Sequence, residues 1–142
     1  MARNSEFVGA KLAILVGARL VTILRDTHPG LPWPGHWDLP GGGRDGAEDP
    51  VACALRETRE EVGLRLAPSD LIWARRYVRP HGAVWFYVAR IEATMAEDLQ
   101  LGDEGQSLCL MPIEEFVAHR RAVPHFRDQL RDYLATLSRD RP

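Results

Sequence analysis

Three glutamate side chains are the residues of this sequence whose type and spacing point most clearly to chemistry. Glu57, Glu60 and Glu61 lie in the segment EDPVACALRETREEVGL, residues 48–64, which predicts a helix over about 50–62. At about 100° per residue, their side chains share an arc of roughly 100°. Clustered carboxylates can supply oxygen ligands to a hard divalent cation, and they can equally form an ordinary solvated acidic face.

The predicted helix has clear limits, but its acidic end is electrostatically unfavourable. Asp49 suits the N-cap, Pro50 the first helical position and Gly63 the position just past the end. The negative end of the helix dipole and the like-charge pairs together cost about 1–3 kcal/mol. The predicted buried stripe, which the acids flank, consists of Val51, Leu55, Thr58 and Val62.

The loop before the helix favours a specific interpretation of the acidic cluster. Residues 42–64, GGRDGAEDPVACALRETREEVGL, resemble the Nudix box, the signature of the Nudix hydrolases, or MutT-type pyrophosphohydrolases. Every glycine, glutamate and arginine of that signature stands at its spacing. Thr58 is the one departure, because the family usually has an aliphatic residue there. Threonine can still fill a contact between the helix and a sheet.

The resemblance implies a site for Mg²⁺ or Mn²⁺, which take oxygen ligands and would bridge the acids to an anionic diphosphate. The expected ligands are Glu57, Glu60, Glu61 and the backbone carbonyl of Gly41. Nudix proteins often carry a further metal-binding glutamate in a later loop, and Glu104 in LGDEGQSL is the candidate, with Asp103 as a competitor and a solvated turn as the alternative. Either a box glutamate or Glu104 could accept the proton of the attacking water.

Other residues of the box are expected to act on the glutamates or on the backbone. The resemblance places Arg56 in the catalytic set, where it holds the glutamates through a charge-assisted contact, although a surface ion pair is the alternative. Glu48 is expected to bond backbone groups in the loop and near the helix start. Gly42 and Gly63 are expected to be structural.

The sequence defines the groups that could contact a nucleotide less sharply. Aromatic rings can stack on a base and arginines can bind phosphate, but the same side chains also fill cores and cover surfaces. The candidate contacts are Arg25, Arg44, Arg79, Tyr77 and Trp85, with Trp33, Trp37 and Phe126 as further aromatic rings. The five histidines have no ligand spacing and are expected on the surface or in loops.

The order of apolar segments predicts the α/β class: an α/β/α sandwich, the Nudix fold, in which a mixed central sheet is flanked by helices. A single domain is expected over 1–142. The predicted strands lie near 8–16, 20–25, 71–80, 83–93 and 107–111, and further helices near 113–119 and 125–137. The last helix should bury Phe126, Leu130, Tyr133, Leu134 and Leu137. The long segment 26–46, rich in proline and glycine, is expected to be an ordered, working loop.

Composition narrows the range of partners and cellular locations that we expect. The apolar share of 45% and charged share of 27% are typical of a globular protein, and the net charge of −2 argues against bulk nucleic acid as a partner. No apolar run is long enough for a membrane span, and the start MARNSEF lacks a secretion signal, so a cytoplasmic protein is expected. Cys53 and Cys109 are interpreted as reduced packing residues. The chain could be a monomer or a homodimer.

The resemblance implies metal-dependent hydrolysis of the pyrophosphate linkage in a nucleoside diphosphate bonded to another moiety. The expected substrate is a nucleoside triphosphate, including oxidised nucleotides, because the chain looks most like the small enzymes of that class. ADP-ribose or ADP-sugar hydrolysis is one alternative, suggested by Pro80, sixteen residues after Leu64. The other is a nucleotide-sensing module without catalysis, which should have a broken glutamate set, whereas the set here is intact.

Overall fold

The computed structural model describes residues 6–139. Its strands are β1 (Gly9–Val16), β2 (Arg19–Leu24), β3 (Trp37–Asp38), β4 (Gly41–Gly43), β5 (Leu71–Arg79), β6 (Gly82–Ile91) and β7 (Ser107–Pro112). Its α-helices are α1 (Pro50–Val62), α2 (Ala93–Ala96), α3 (Ile113–Ala118) and α4 (Pro124–Arg139), and a 3₁₀ turn spans Pro68–Asp70. No helix within these residues combines the length and the apolar character needed to cross a membrane.

One mixed sheet joins the seven strands of the described region. The main order is β3-β2-β1-β6-β5, while β4 pairs with β1 and β7 with β2. Strands β1 and β6 run parallel, and the other pairs are antiparallel. Strand β4 is aligned on the start of β1, with Lys11 opposite Gly41. The glycines that open the box are therefore fixed to the central strand of the sheet.

Side chains alternate between two cores, one on each face of the sheet, because successive residues of a strand point to opposite sides. In β1, Leu12 and Ile14 belong to the core under α1, whereas Ala13 and Leu15 belong to the core under α3 and α4. Helix α1 contributes Cys53, Ala54 and Val62 to the first core, and α4 contributes Phe126, Leu130 and Tyr133 to the second. The predicted α/β/α sandwich is confirmed.

The predicted elements are confirmed within one or two residues at their ends, and the structure adds short ones. The segment between β2 and α1 is ordered, as expected, but it contains β3 and β4, which the sequence did not predict. Both strands are too short to show the alternation of apolar and polar residues that identifies a strand, and β4 consists only of glycine. Helix α2 and the 3₁₀ turn are single turns without a periodic pattern, and they were missed for the same reason.

Two predictions about buried faces were wrong in part. In α1, Val51 and Leu55 are only half-buried, and the buried residues are Cys53, Ala54, Thr58 and Val62. The core-facing side of α1 is thus rotated toward the glutamates, because helix and sheet meet where β4 has no side chains. In α4, Leu137 is 42% exposed, since the core beneath that helix ends with Leu134.

Candidate active site

Helix α1 carries the box glutamates to the sheet and is capped at both ends. The side chain of Asp49 accepts a hydrogen bond from the Ala52 N–H at 2.8 Å and so satisfies a free donor of the first turn. Gly63 ends the helix with a φ of 76°, and its N–H donates to the Arg59 carbonyl at 3.0 Å. This left-handed conformation favours glycine, so the helix stops directly after the last glutamate turn.

Arg56 is the centre of the charged contacts on this helix. Its Nη1 donates to Glu57 Oε2 at 2.7 Å and to Glu60 Oε1 at 3.1 Å. Its Nε and Nη2 donate to the two carboxylate oxygens of Glu48 at 3.0 and 2.8 Å, and Nη2 also reaches the Gly43 carbonyl at 2.9 Å. The guanidinium therefore joins the helix, the preceding loop and strand β4, which a loose surface ion pair would not do.

Glu48 stabilises the loop that leads into α1. One of its carboxylate oxygens accepts the Asp45 backbone N–H at 2.8 Å. The hydrogen bonds from Arg56 are the main reason that the pKa of Glu48 falls to about 2, and the Asp45 N–H acts in the same direction. Burial raises the pKa of the nearby Cys53 thiol to about 12, so this cysteine is a protonated packing residue. Both groups act on the fold and leave the glutamates of α1 free for chemistry.

Glu57 and Glu61 face the sheet, whereas Glu60 faces solvent. The side chain of Glu57 is 16% exposed and that of Glu60 is 53% exposed. A Cβ at Gly42 would meet the Glu57 carboxylate, so this carboxylate packs directly against the glycine backbone. At Gly41 the N–H donates to Glu61 Oε1 at 2.9 Å. Strand β4 thus receives two of the three box carboxylates directly on its backbone.

Glu61 has an unusual protonation equilibrium. Burial raises its pKa to about 7, and the negative charges of Glu57 and Asp38 act in the same direction. The positive charge of Lys11 and the Gly41 N–H oppose this shift. At neutral pH and without a cation, the carboxyl group therefore holds a proton much of the time.

Two residues beside these acids, Lys11 and Asp38, were missed by the sequence reasoning. Lys11 Nζ donates to Asp38 Oδ1 at 3.1 Å and to the carbonyls of Leu39 and Gly41, both at 3.0 Å. Asp38 also accepts a hydrogen bond from Arg25 Nη1 at 2.7 Å. A signal was present, because Lys11 is the only lysine of the chain and interrupts the apolar strand GAKLAILV. Its ammonium bonds the same Gly41 carbonyl that the sequence proposed as a metal ligand.

A small cavity of about 110 Å³, which we call the acidic cavity, lies beside the end of α1. It brings Glu61 and Glu104 together, although they are far apart in sequence, and Asp103 does not line it. Its charged lining is Arg25, Asp26, Asp38, Glu61 and Glu104. Arg25 and Lys11 both pair with Asp38. The remaining carboxyl groups of the lining, those of Asp26, Glu61 and Glu104, are therefore the ones that could bind a cation.

A larger cavity of about 340 Å³, which we call the apolar cavity, lies between α4 and the part of the sheet where β4 pairs with β1. Its main side chains are those of Lys11, Arg79, Val84, His125, Phe126 and Gln129, and the backbone of Gly42 and Gly43 forms one wall. No carboxylate of the described residues lines it. His125 was expected on the surface, but it is half-buried here. Burial lowers the pKa of its ring to about 4, so His125 is neutral at physiological pH.

The weaker candidate contacts divide between the cavities and the rest of the fold. Arg25 lines the acidic cavity and Arg79 the apolar cavity, where it makes no ion pair with residues 6–139. Arg44 lies over a phenylalanine ring near the N-terminus, 4.5 Å from its centroid. The Tyr77 hydroxyl donates to an aspartate of α4 at 2.8 Å, and Trp85 stacks on a tyrosine with centroids 5.9 Å apart. Arg44, Tyr77 and Trp85 line neither cavity.

The carboxylates have the right chemistry for a hard divalent cation, but they are not already gathered around one point. Within residues 6–139, no group of three or more His, Cys, Asp or Glu side chains is arranged so that it could hold a metal ion. Glu57 and Glu60 turn toward Arg56, and Glu61 turns toward Gly41. Two of these carboxylates are thus bonded to a guanidinium and the third to a backbone N–H. A bound ion would have to draw these side chains together.

The chain is similar in sequence to one protein family and to two named relatives. The NUDIX domain family matches residues 9–133. The RNA pyrophosphohydrolase of Acidiphilium cryptum (strain JF-5) is 46% identical over 56 residues, 39% of this chain and 33% of that protein. The nucleoside triphosphate pyrophosphatase/Nudix hydrolase fusion protein of Bifidobacterium longum (strain NCC 2705) is 31% identical over 113 residues, 72% of this chain and 22% of that protein. The chain thus spans a third or less of the length of either relative.

Solved structures show the same fold. The C. elegans Ap4A hydrolase, solved as a binary complex, superposes with a TM-score of 0.69 at 24% identity, covering 92% of this chain and 98% of that one. At such low identity the likeness extends to the architecture alone.

Proposed function

The chain belongs to the Nudix hydrolase family, and on that premise we propose that it hydrolyses the pyrophosphate linkage of a nucleoside triphosphate with the help of Mg²⁺ or Mn²⁺. One observation carries this proposal: strand β4 connects the acidic cavity, in which Glu61 accepts the Gly41 N–H, with the apolar cavity, which Gly42 and Gly43 line. The first suits a cation and a polyphosphate, and the second suits an uncharged organic group. A nucleotide has both parts in one molecule.

The phosphate chemistry is assigned to the acidic cavity and α1. Bound ions would neutralise the diphosphate and polarise its phosphorus. The groups proposed to hold them are Glu57, Glu60, Glu61, Glu104 and the Gly41 carbonyl. Arg56 sets the positions of Glu57 and Glu60 through its 2.7 and 3.1 Å contacts. Water attacks phosphorus, the anhydride P–O bond breaks, and the leaving phosphate oxygen keeps the bonding electron pair.

The proton of the attacking water is assigned to Glu61 or Glu104, because both line the acidic cavity. A carboxylate within hydrogen-bond reach of the water is what general base catalysis requires. The pH dependence of turnover in Glu61→Gln and Glu104→Gln separates the two. Loss of the base removes the acidic limb of the pH–rate profile, whereas loss of a metal ligand alone lowers turnover and raises the Mg²⁺ concentration that is needed.

The nucleoside part is assigned to the apolar cavity. Its volume of about 340 Å³ falls within the range of small-molecule sites, and the Phe126 ring is available for contact with a planar group. Lys11 has each of its N–H groups engaged with Asp38, Leu39 or Gly41, whereas Arg79, which makes no ion pair within residues 6–139, is assigned to contact with a phosphate of the substrate. The activity named for the Bifidobacterium relative supports a nucleoside triphosphate as the substrate.

A substrate panel tests the proposal. Unmodified and oxidised nucleoside triphosphates, ADP-ribose and dinucleoside polyphosphates are incubated with the protein under Mg²⁺ and Mn²⁺, and the products are separated. We expect nucleoside monophosphate and pyrophosphate from triphosphates. Cleavage of ADP-ribose alone would replace the proposed substrate class. Nucleotide binding without turnover under either metal would make the chain a sensing module.

A further inference from the structure

Gln129 is a buried polar residue whose hydrogen bonding is incomplete. Its side chain projects from α4 and is 3% exposed. The side-chain carbonyl oxygen is buried and has no hydrogen-bond partner among the described residues. Buried amides are normally bonded, because an unpaired one has lost its contacts with water and gained nothing in return. A ligand that bonds this oxygen, or another functional role, would offset the cost in stability of leaving it unpaired.

The surroundings of Gln129 point to a ligand. The residue lines the apolar cavity, together with the Phe126 ring and the neutral imidazole of His125. A ligand that enters this cavity from β4 passes Gly42, against which the Glu57 carboxylate packs. Gln129 therefore lines a cavity that extends to Gly42 and has no carboxylate of the described residues in its lining.

We propose that Gln129 determines base specificity by bonding the edge of the nucleobase in the apolar cavity. This inference rests on the proposed function, because it assumes that the cavity receives the nucleoside part. A side-chain amide offers a donor and an acceptor side by side, so it pairs with a base edge that presents the complementary acceptor and donor. A carboxylate offers only acceptors, and an aliphatic side chain offers neither.

The alternative is a core residue that has no contact with substrate, and the two roles predict opposite effects of an apolar replacement. Gln129→Leu removes the unpaired carbonyl, so the free protein should melt at a higher temperature. If Gln129 bonds the base, the same change weakens nucleoside binding. Greater stability together with weaker binding is the pattern of a polar group kept for function.

The matched control is Thr58→Val in α1. Thr58 is fully buried, and its hydroxyl is also without a hydrogen-bond partner, but it packs in the core on the opposite face of the sheet. Its replacement should raise the melting temperature in the same way and leave nucleoside binding unchanged. The pair separates the stability effect from the binding effect.

The experiment measures binding without catalysis. Wild type, Gln129→Leu, Gln129→Glu and Thr58→Val are titrated with AMP, GMP, CMP and UMP in EDTA by calorimetry, and their melting temperatures are recorded. Wild type should prefer one base, and Gln129→Leu should weaken that binding about tenfold or more and flatten the preference. Gln129→Glu keeps the size of the side chain and should change the order of preference, so it carries the test if the leucine variant fails to fold.

The outcomes separate this inference from the proposed function. Unchanged Kd values in both Gln129 variants would overturn the inference, even if wild type hydrolyses triphosphates. Wild type that binds none of the four nucleotides in EDTA and hydrolyses all nucleoside triphosphates equally would also overturn it. Weakened binding in the Gln129 variants, combined with no turnover on the substrate panel, would support the inference and refute the proposed function.

Discussion

The box glutamates on α1 and the apolar cavity differ in how they are built. Glu57, Glu60 and Glu61 belong to one continuous stretch of sequence that includes Arg56. The apolar cavity takes its lining from β1, β4, β5, β6, the β5–β6 turn and α4, whose residues are spread over most of the chain. A cluster of carboxylates on one helix is encoded locally, because helical spacing alone brings the side chains together. A site for an organic group depends on how distant elements pack.

The largest expected effect comes from removing a charge on the acidic side. Glu60→Gln or Glu61→Gln should lower kcat by about 100-fold or more, because a metal ligand or the proton acceptor is lost. The fold should persist, since the change relaxes repulsion among the acids. Steady-state kinetics and circular dichroism measure the two effects.

The control for these variants is Glu115→Gln, a change of the same chemistry at an exposed position of α3. Its kcat should remain at the wild-type value. Wild-type turnover in Glu61→Gln and in Glu60→Gln would contradict the assignment of the acidic cavity.

A second effect tests whether Arg56 positions the acids. Arg56→Met should destabilise the fold by about 2–4 kcal/mol, because it leaves the largely buried carboxylates of Glu48 and Glu57 without their partner. Arg56→Lys keeps the charge but loses the paired bonds to Glu48, so it should lie between Arg56→Met and wild type. Urea unfolding gives the free energy of unfolding. An equal loss of stability in Arg56→Met and Arg56→Lys would show that the fold depends on the hydrogen-bond geometry of the guanidinium and not on its charge.

A third effect is the pH dependence of the protein without metal. The pKa of Glu61 rises from 4.5 to about 7 on folding, so the native state binds the proton more tightly than the unfolded state. The contribution of Glu61 to the free energy of unfolding should therefore be greatest below about pH 5. It should fall by at most about 3 kcal/mol as the pH rises through 7. Thermal melts in EDTA between pH 5 and 8 should show this fall in wild type.

Glu61→Gln isolates that contribution from the other titrating groups. His125 and Glu48 titrate in both proteins, so the difference between the two curves belongs to the residue at position 61. The variant should equal or exceed the stability of wild type at pH 8. Parallel curves from pH 5 to 8 would exclude a raised pKa of Glu61.

The smallest effect concerns packing between α1 and the sheet. Thr58→Val should raise the free energy of unfolding by about 1 kcal/mol, because it replaces an unpaired buried hydroxyl with a methyl group of similar size. It also restores the aliphatic residue that the Nudix box usually has. Urea unfolding measures the gain, and a loss of stability would mean that the hydroxyl has a hydrogen-bond partner.

The sequence predicted the parts of the site that depend on local order. The caps at Asp49 and Gly63 and the spacing of the glutamates were enough to define α1 and its acidic end. The pair of Lys11 and Asp38 could not be predicted, because the two residues are 27 positions apart and come together only when the sheet has formed. The half-buried position of His125 likewise depends on α4 packing against the sheet. These contacts are set by tertiary structure and leave no periodic signal in the chain.

Lys11 also offers a way to measure unfolding by proteolysis. As the only lysine, it defines a single cleavage point for a lysine-specific protease, the peptide bond to Leu12 in the central strand. A protease can cut there only after β1 has left its neighbours β4 and β6. The rate of that one cut therefore measures disruption of the whole sheet and is insensitive to fraying at its edges.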